Sequence, residues 1–514
     1  MSSYSYYEYL KINGNRLFTM ILLPEKDNKF PVVICRSPYV SNAVGKPDDE
    51  VLQDCLQAYE KWLDRGYAII FQHCRGRGKS AGGFVPYIYE REDGLLLRQW
   101  IREQAFYNGE LFLMGGSYTA SLHYETAPFE EDILGAVFEV QDSERYNLWY
   151  RNGQMRKGHA NWHFELYKSS VGSKKDFNFS SFDELPLKDL SERALGERSD
   201  DFEQMLRAQF PTDKFWDTRY GGTHTKNSVM NANIPILLTT GYNDFYVGGI
   251  FKMWNLMDDK TKSKSSLIVS PYNHGDGYYN DQGLIFPNGA RGEQFGETYQ
   301  IDWFDNIRKG TALPYQKGVI TYYRAFENRW DSDFYKQTAK LVEVCLGDET
   351  RSFNYDPYNP TSFSCEGTFS KEVALTADFI RVYTKSFDRD VFVKGQMRAS
   401  LTVSSNCEDT SFYIRISIKS SKYSYVLRHD ITSLCYQLGE YVSNEVVTLD
   451  FCFDEYAFLL KKGECLQIDI AATDNNTYIS HTNKKGDYYL QTDAEKAINT
   501  VYLGQSRLFL PIEE

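Results

Sequence analysis

Four apolar residues, two glycines and a serine constrain this chain more than any other stretch. Leu111-Phe112-Leu113-Met114 reads as a short buried strand, Gly115-Gly116 permits a sharp turn, Ser117 follows, and a helix-compatible segment opens at Tyr118. Strand, tight turn, serine and helix in that order lift a hydroxyl clear of a parallel sheet. They also aim the next backbone N–H, that of Tyr118, into the same space. A serine in a turn is common, so the reading depends on whether the other parts of a nucleophilic site lie elsewhere in the chain.

The surroundings fit. Apolar runs recur at 32–35, 68–71, 111–114, 136–140, 236–240 and 267–269, with helix-like stretches at about 50–65, 90–104 and 118–126. Uninterrupted β-type runs alternating with helices predict a mostly parallel sheet with helices on both faces. A hairpin precedes it, residues 8–23 alternating about Asn13-Gly14-Asn15. The alternation breaks between 142 and 232, where no strand is convincing and fragments 144–157 and 200–209 look helical. A structureless excursion of that length is uncommon in a compact domain, so a helical cap inserted into the core is expected. After a helix at 300–309 the texture changes. From 318 onward, runs at 319–323, 341–346, 399–403, 412–418, 446–451, 466–471 and 506–510 are separated by Gly, Asn, Asp and Ser, with Pro357-Tyr358-Asn359-Pro360 as a rigid connector. That pattern predicts an all-β sandwich or jelly roll. The expected division is therefore 1–141 and 233–317 for the α/β core, 142–232 for the cap and 318–514 for the β domain.

Composition removes several classes of function. A chain of 514 residues exceeds what one hydrophobic core serves. A formal net charge of −13 with no basic run disfavours nucleic acid as a partner. No run of ~18 apolar residues is present to span a membrane, and residues 1–9 lack a basic-then-apolar signal pattern. The nine cysteines form no Cys-x-x-Cys pair and no Cys/His group with zinc spacing, so no metal is expected. Scattered thiols fit a reducing compartment, the cytoplasm.

A serine hydroxyl is a poor nucleophile until a base takes its proton, and the base needs an acid to fix its tautomer. In sheets of this type the order along the chain is serine, acid, histidine. Downstream, Ile236-Leu237-Leu238-Thr239-Thr240-Gly241-Tyr242-Asn243-Asp244 is a strand ending in an acid, and Leu267-Ile268-Val269-Ser270-Pro271-Tyr272-Asn273-His274 is a strand leading to a histidine. Both sit past the carboxyl end of an expected parallel strand, where open α/β sheets place their ligands. For the oxyanion, the Tyr118 amide is one donor. The second is expected from Arg36-Ser37-Pro38-Tyr39, with the Tyr39 phenol reaching inward. Other histidines fit the base less well. His123 follows Ser117 on the same helix and should point elsewhere, His159 and His163 fit a solvated cap helix, and His429 and His481 fall in the β domain.

These residues resemble the cocaine-esterase and X-prolyl dipeptidyl-peptidase group of α/β-hydrolases (CocE/NonD). The marks of the resemblance are Arg36-Ser37-Pro38-Tyr39, Arg65-Gly66-Tyr67-Ala68, Arg75-Gly76-Arg77-Gly78-Lys79-Ser80, Asp93-Gly94, Gly115-Gly116-Ser117-Tyr118, Gly241-Tyr242-Asn243-Asp244, Pro271-Tyr272-Asn273-His274-Gly275, Trp303-Phe304-Asp305 and Ser506-Arg507-Leu508. The resemblance implies Ser117 as nucleophile with Asp244 and His274 as partners, Tyr39 and Tyr118 as the oxyanion hole, a helical cap and a C-terminal jelly roll. By position, Trp149, Trp162 and Tyr246 are candidates to line the acyl pocket. Three departures stand out: Ala120 where the family has glycine, His73 where it often has aspartate, and Tyr242-Asn243 where it has Trp-Tyr.

The expected function is a serine hydrolase acting on an ester or amide of a small or peptide-like acyl group, without a cofactor. A dipeptidyl-peptidase, acylase or acyltransferase is the alternative, and a degenerate hydrolase acting as a binding protein is the second. A free-amine substrate would need a cap carboxylate, for which Glu144 is the candidate. A homodimer is left open.

Overall fold

A computed structural model of the chain describes residues 3–171, 179–218, 232–274, 279–280, 283–284, 286, 290, 295–335, 341–369 and 376–513. Six early strands build the first part of the central sheet: β1 (Tyr4–Ile12), β2 (Asn15–Leu23), β3 (Phe30–Ser37), β4 (Ala68–His73), β5 (Tyr107–Gly116) and β6 (Ile133–Glu139). Strands Ile236–Gly241, Ser266–Ser270, Ile320–Arg324 and Arg329–Asp333 complete it in the spatial order β1-β2-β4-β3-β5-β6 and then these four. Pairing is parallel from β4 through Ile320–Arg324. It is antiparallel at both edges. Every residue of β3 is buried, as the apolar run of a strand covered on both faces requires. The β1–β2 turn has Asn13 and Gly14 at φ +47° and +76°, the left-handed pair that a two-residue hairpin needs.

Helix α1 (Asp48–Asp64) and helix Tyr299–Lys309 cover one face, over a core that includes Val33, Phe112, Trp303 and Phe304. The opposite face carries α2 (Glu90–Arg102) and α3 (Tyr118–Tyr124). Its core runs on without a break through the cap and into the β domain. The cap enters after β6 with α4 (Arg145–Trp149), a small hairpin of Tyr150–Arg151 and Gln154–Met155, and α5 (Lys157–Val171). The helix expected over 144–157 is thus two helices separated by a hairpin. Asn152 and Gly153, both at positive φ, turn the chain there.

The boundary expected at 318 is corrected. Residues 319–323 do not open the β domain. Ile320–Arg324 pairs in parallel with Ser266–Ser270, extending the central sheet, and Arg329–Asp333 closes its edge. The run 319–323 reads as an alternating sandwich strand, but Ile320–Arg324 lies one strand in from the edge and all five of its residues are buried, as in a strand covered on both faces. The β domain that follows consists of antiparallel sheets, the larger two being Leu341–Cys345, Arg507–Pro511, Arg398–Ser405, Ala497–Tyr502 and Thr350–Tyr355, with Val447–Cys452 on Arg398–Ser405, and Ile380–Tyr383, Cys465–Ala471, Ser411–Lys419 and Ser424–Ser433. No helix among the described residues is long and apolar enough to cross a membrane.

Candidate active site

Strand β5 runs through both glycines and stops at the serine. Ser117 has φ +53° and ψ −132°, a left-handed backbone that a residue with a side chain adopts only when its surroundings enforce it. Those surroundings are visible: the Ser117 amide donates to the Glu139 carbonyl at 2.8 Å, and its carbonyl accepts from Ala120 N at 2.9 Å. The two glycines differ. A Cβ on Gly115 would lie 2.4 Å from the Thr119 carbonyl group, whereas one on Gly116 would meet nothing closer than Glu139 at 3.6 Å. Gly115 is what lets α3 pack against β5, and Ala120, fully buried, does not disturb that contact.

The acid and the histidine arrive from neighbouring strands. The His274 Nε2 lies 2.9 Å from Ser117 Oγ, and its Nδ1 lies 3.1 Å from Asp244 Oδ2. Asp244 is 1% exposed, and its second oxygen accepts the Tyr246 amide at 2.9 Å. It caps no helix: the helix that follows begins at Val247. The turn bearing Asp244 is held by the β domain. Tyr242 stacks on Tyr456 at 4.6 Å, and Asn243 Nδ2 donates to the Pro271 carbonyl at 2.7 Å and to Tyr425 Oη at 3.2 Å. The departure Tyr242-Asn243 therefore serves the domain interface. The rings of Phe245 and Tyr246 flank His274 at 4.8 and 5.3 Å.

Two donors converge on the serine. The Tyr118 amide occupies the first position of α3, where no preceding turn supplies an acceptor. Tyr39 is 44% exposed, yet its hydroxyl turns inward within reach of Ser117 and Trp162, and burial of that end pushes its pKa up to about 12. It is thus a proton donor at neutral pH. Its loop is pinned by Tyr39 N to Ser37 Oγ at 3.0 Å and by Arg77 Nε to the Pro38 carbonyl at 2.9 Å.

The sequence missed Glu90. Its carboxylate accepts the Tyr118 hydroxyl at 2.5 Å and the Tyr89 amide at 2.9 Å. Burial raises its pKa to about 7, against the pull of Arg36 and the hydrogen bond from Tyr118. The Tyr118 hydroxyl in turn accepts the Tyr87 amide at 2.8 Å. A glutamate at a helix start gives no local sign of this role. His73 replaces the family's aspartate without loosening the loop: its Nδ1 accepts Lys79 N at 3.2 Å, and burial holds its pKa down to about 4.

Of the three pocket candidates, Trp162 and Tyr246 border the site. The Trp162 ring lies 5.8 Å from that of Tyr118. Trp149 sits farther back, against His159, His163 and Phe202 in the cap. The expectation of a solvated helix for His159 and His163 fails: His163 is 1% exposed and His159 is half-buried, because α5 turns that side into the cap core. His123 points away as expected, to the Met114 carbonyl at 3.1 Å. Glu144 is engaged elsewhere, with Lys252 at 2.7 Å and Asn147 at 3.3 Å.

Comparisons with known proteins bear on the family and the fold. The family model described as X-Pro dipeptidyl-peptidase (S15 family) matches residues 13–276, and that of the X-Pro dipeptidyl-peptidase C-terminal non-catalytic domain matches 333–508. Cocaine esterase of Rhodococcus sp. (strain MB1 Bresler) is 24% identical over 293 residues, 51% of this chain and 47% of the esterase. The match thus spans about half the length of that curated relative. An α-amino acid ester hydrolase structure superposes with a TM-score of 0.81 at 16% identity, covering 99% of this chain and 97% of that one. An aminopeptidase from a marine sediment archaeon, Thaumarchaeota archaeon, gives 0.81 at 16% identity, over 100% and 96% of the two chains. At these identities the superpositions speak for the fold.

Proposed function

Because this chain belongs to the X-Pro dipeptidyl-peptidase (S15) family, we propose that it is a serine hydrolase of the CocE/NonD type that cleaves a carboxylic ester or amide through an acyl-enzyme. His274 takes the Ser117 proton as the hydroxyl attacks the carbonyl carbon. Asp244 holds the imidazole in the tautomer that presents Nε2 and stabilises the imidazolium that forms. The Tyr118 amide and the Tyr39 hydroxyl hold the oxyanion. His274 then protonates the leaving alcohol or amine, and water, deprotonated by the same imidazole, releases the acid.

The observation that carries this reading is the continuous relay, Ser117 Oγ to His274 Nε2 at 2.9 Å and His274 Nδ1 to Asp244 at 3.1 Å. It weighs against a protein that only binds. The substrate is a small-molecule or short peptide-like acyl compound, and the free thiols fit the cytoplasm. A fluorophosphonate probe should label Ser117, and p-nitrophenyl acetate should be turned over. Ser117→Ala should abolish labelling and lower turnover by roughly four orders of magnitude or more. Retained turnover would mean a different nucleophile.

A further inference from the structure

Buried polar atoms normally find partners, so each exception asks for an explanation. Three exceptions lie together in the cap, on Arg145 and His159. Arg145, at the start of α4, is 2% exposed. Its Nη2 donates to Glu125 at 2.8 Å, and its guanidinium carbon lies 3.9 Å from the Tyr87 ring centroid. Its Nε and Nη1 are buried and have no hydrogen-bond partner among the described residues, and neither has His159 Nε2.

Ring contacts connect the group to the residues around the nucleophile. The Tyr87 ring that supports Arg145 lies 4.6 Å from the Tyr118 ring, and His159 lies 4.9 Å from Trp162. The charge of Arg145 bears on Tyr246, which packs on His274, and Arg145 and His274 both bear on His159.

The chemistry of the two Arg145 donors narrows what they can receive. Burial works against the Arg145 charge, but Glu125 and Tyr87 outweigh it and keep the guanidinium protonated. That charge is already matched by Glu125, so the two remaining N–H groups call for an acceptor and not for a further negative charge. An ammonium group would meet a buried cation there. The nearby carboxylates are engaged: Glu125 by Arg145, Glu144 by Lys252, and Asp142 by Asn147 at 2.9 Å and the Glu144 amide at 2.9 Å.

Resting on the serine-hydrolase reading above, we propose that Arg145 is a specificity-determining residue whose free N–H groups receive a neutral acceptor oxygen on the acyl part of the substrate, the carbonyl of an N-acylated amino group, and that the site selects against acyl groups bearing a free ammonium. The protein is therefore suited to N-blocked amino acyl esters and amides, not to free amino acid esters.

The test compares kcat/KM for four methyl esters at neutral pH: N-acetyl-L-alanine, L-alanine, butyrate and monomethyl succinate. Acid release is followed by titration. The N-acetylalanine ester should exceed butyrate by about tenfold or more, the scale of a hydrogen bond to a charged donor, and the L-alanine ester should fall below butyrate. Arg145→Lys keeps a cation for Glu125 but removes the planar fork, and it should bring the N-acetylalanine to butyrate ratio down to within about threefold of one. That ratio does not depend on how much of the variant folds. Preference for the free L-alanine ester, for the anionic succinate ester, or an unchanged ratio in Arg145→Lys would overturn the proposal. Turnover of p-nitrophenyl acetate by the same preparation reports on the serine-hydrolase reading separately: if it is turned over while none of the four esters is, the inference alone falls, and if it is not turned over, that reading fails.

Discussion

Two arginines buried to the same depth show how this molecule uses its polar groups. In the β domain, Arg415 is fully buried and lies 4.4 Å from the Phe363 ring centroid. Its Nε reaches Asp469 at 3.2 Å, its Nη2 reaches the same carboxylate, and its Nη1 donates to the Ser364 carbonyl at 3.4 Å. In the cap, Arg145 is as buried and stacked in the same way, yet only Nη2 is bonded. Since an unsatisfied buried donor is destabilising, the difference sets Arg415 apart as scaffold, and the acceptor contact proposed above would account for the open donors of Arg145. Scaffold groups should set stability without touching specificity, and site groups the reverse.

That contrast can be broken at several points. The largest effect is expected at the oxyanion. Tyr39→Phe should lower kcat by about two to three orders of magnitude, as loss of one such donor does, with the urea midpoint unchanged. A loss of stability with little loss of rate would put Tyr39 on the scaffold side. Arg415→Met should cost about 3 kcal/mol in urea unfolding, the low end for breaking a buried ion pair, because Asp469 keeps Arg381 at 2.6 Å. Its ester specificity should match the wild type. The smallest effect sharpens the comparison at a group that belongs to both classes. Glu90 has an ordinary pKa of 4.5 and about 7 in the fold, so the native state holds its proton more tightly than the unfolded chain. The stability this contributes is complete below about pH 4.5 and is lost as pH rises through about 7. Glu90→Gln, which cannot ionise, should flatten that part of the stability–pH curve by roughly 2 kcal/mol. Urea midpoints of the two proteins from about pH 5 to pH 8 measure it.

Much of this was legible along the chain, and the failures share a cause. The hairpin at Asn13-Gly14 and the helices α1, α2 and α3 follow from local sterics and side-chain period, and they lie where the sequence pointed. The strand Ile320–Arg324 joins the central sheet and not the β domain, because a strand's own residues do not say which sheet supplies its neighbour. His159 and His163 read as solvated because histidine carries no apolar signal of its own, yet they share the inward side of α5 with Ala160, Phe164 and Leu166. Glu90, Arg145, Tyr425 and Tyr456 gave no signal at all. Their importance lies in what they touch, and each touches a residue remote in sequence.

The sequence by itself determined the elements: a strand that must end at Gly115-Gly116, a serine forced into the turn, an acid and a histidine each at the carboxyl end of a later strand. These depend on neighbours within a few residues, and backbone sterics decide them. Only the tertiary structure decided that Ser117 and His274, 157 residues apart, face each other at 2.9 Å, and that His274 meets Asp244 from 30 residues away. It also decided which buried donors are left open. The sum of packing forces across the sheet, the cap and the β domain sets those distances, and no local window of the chain contains that sum.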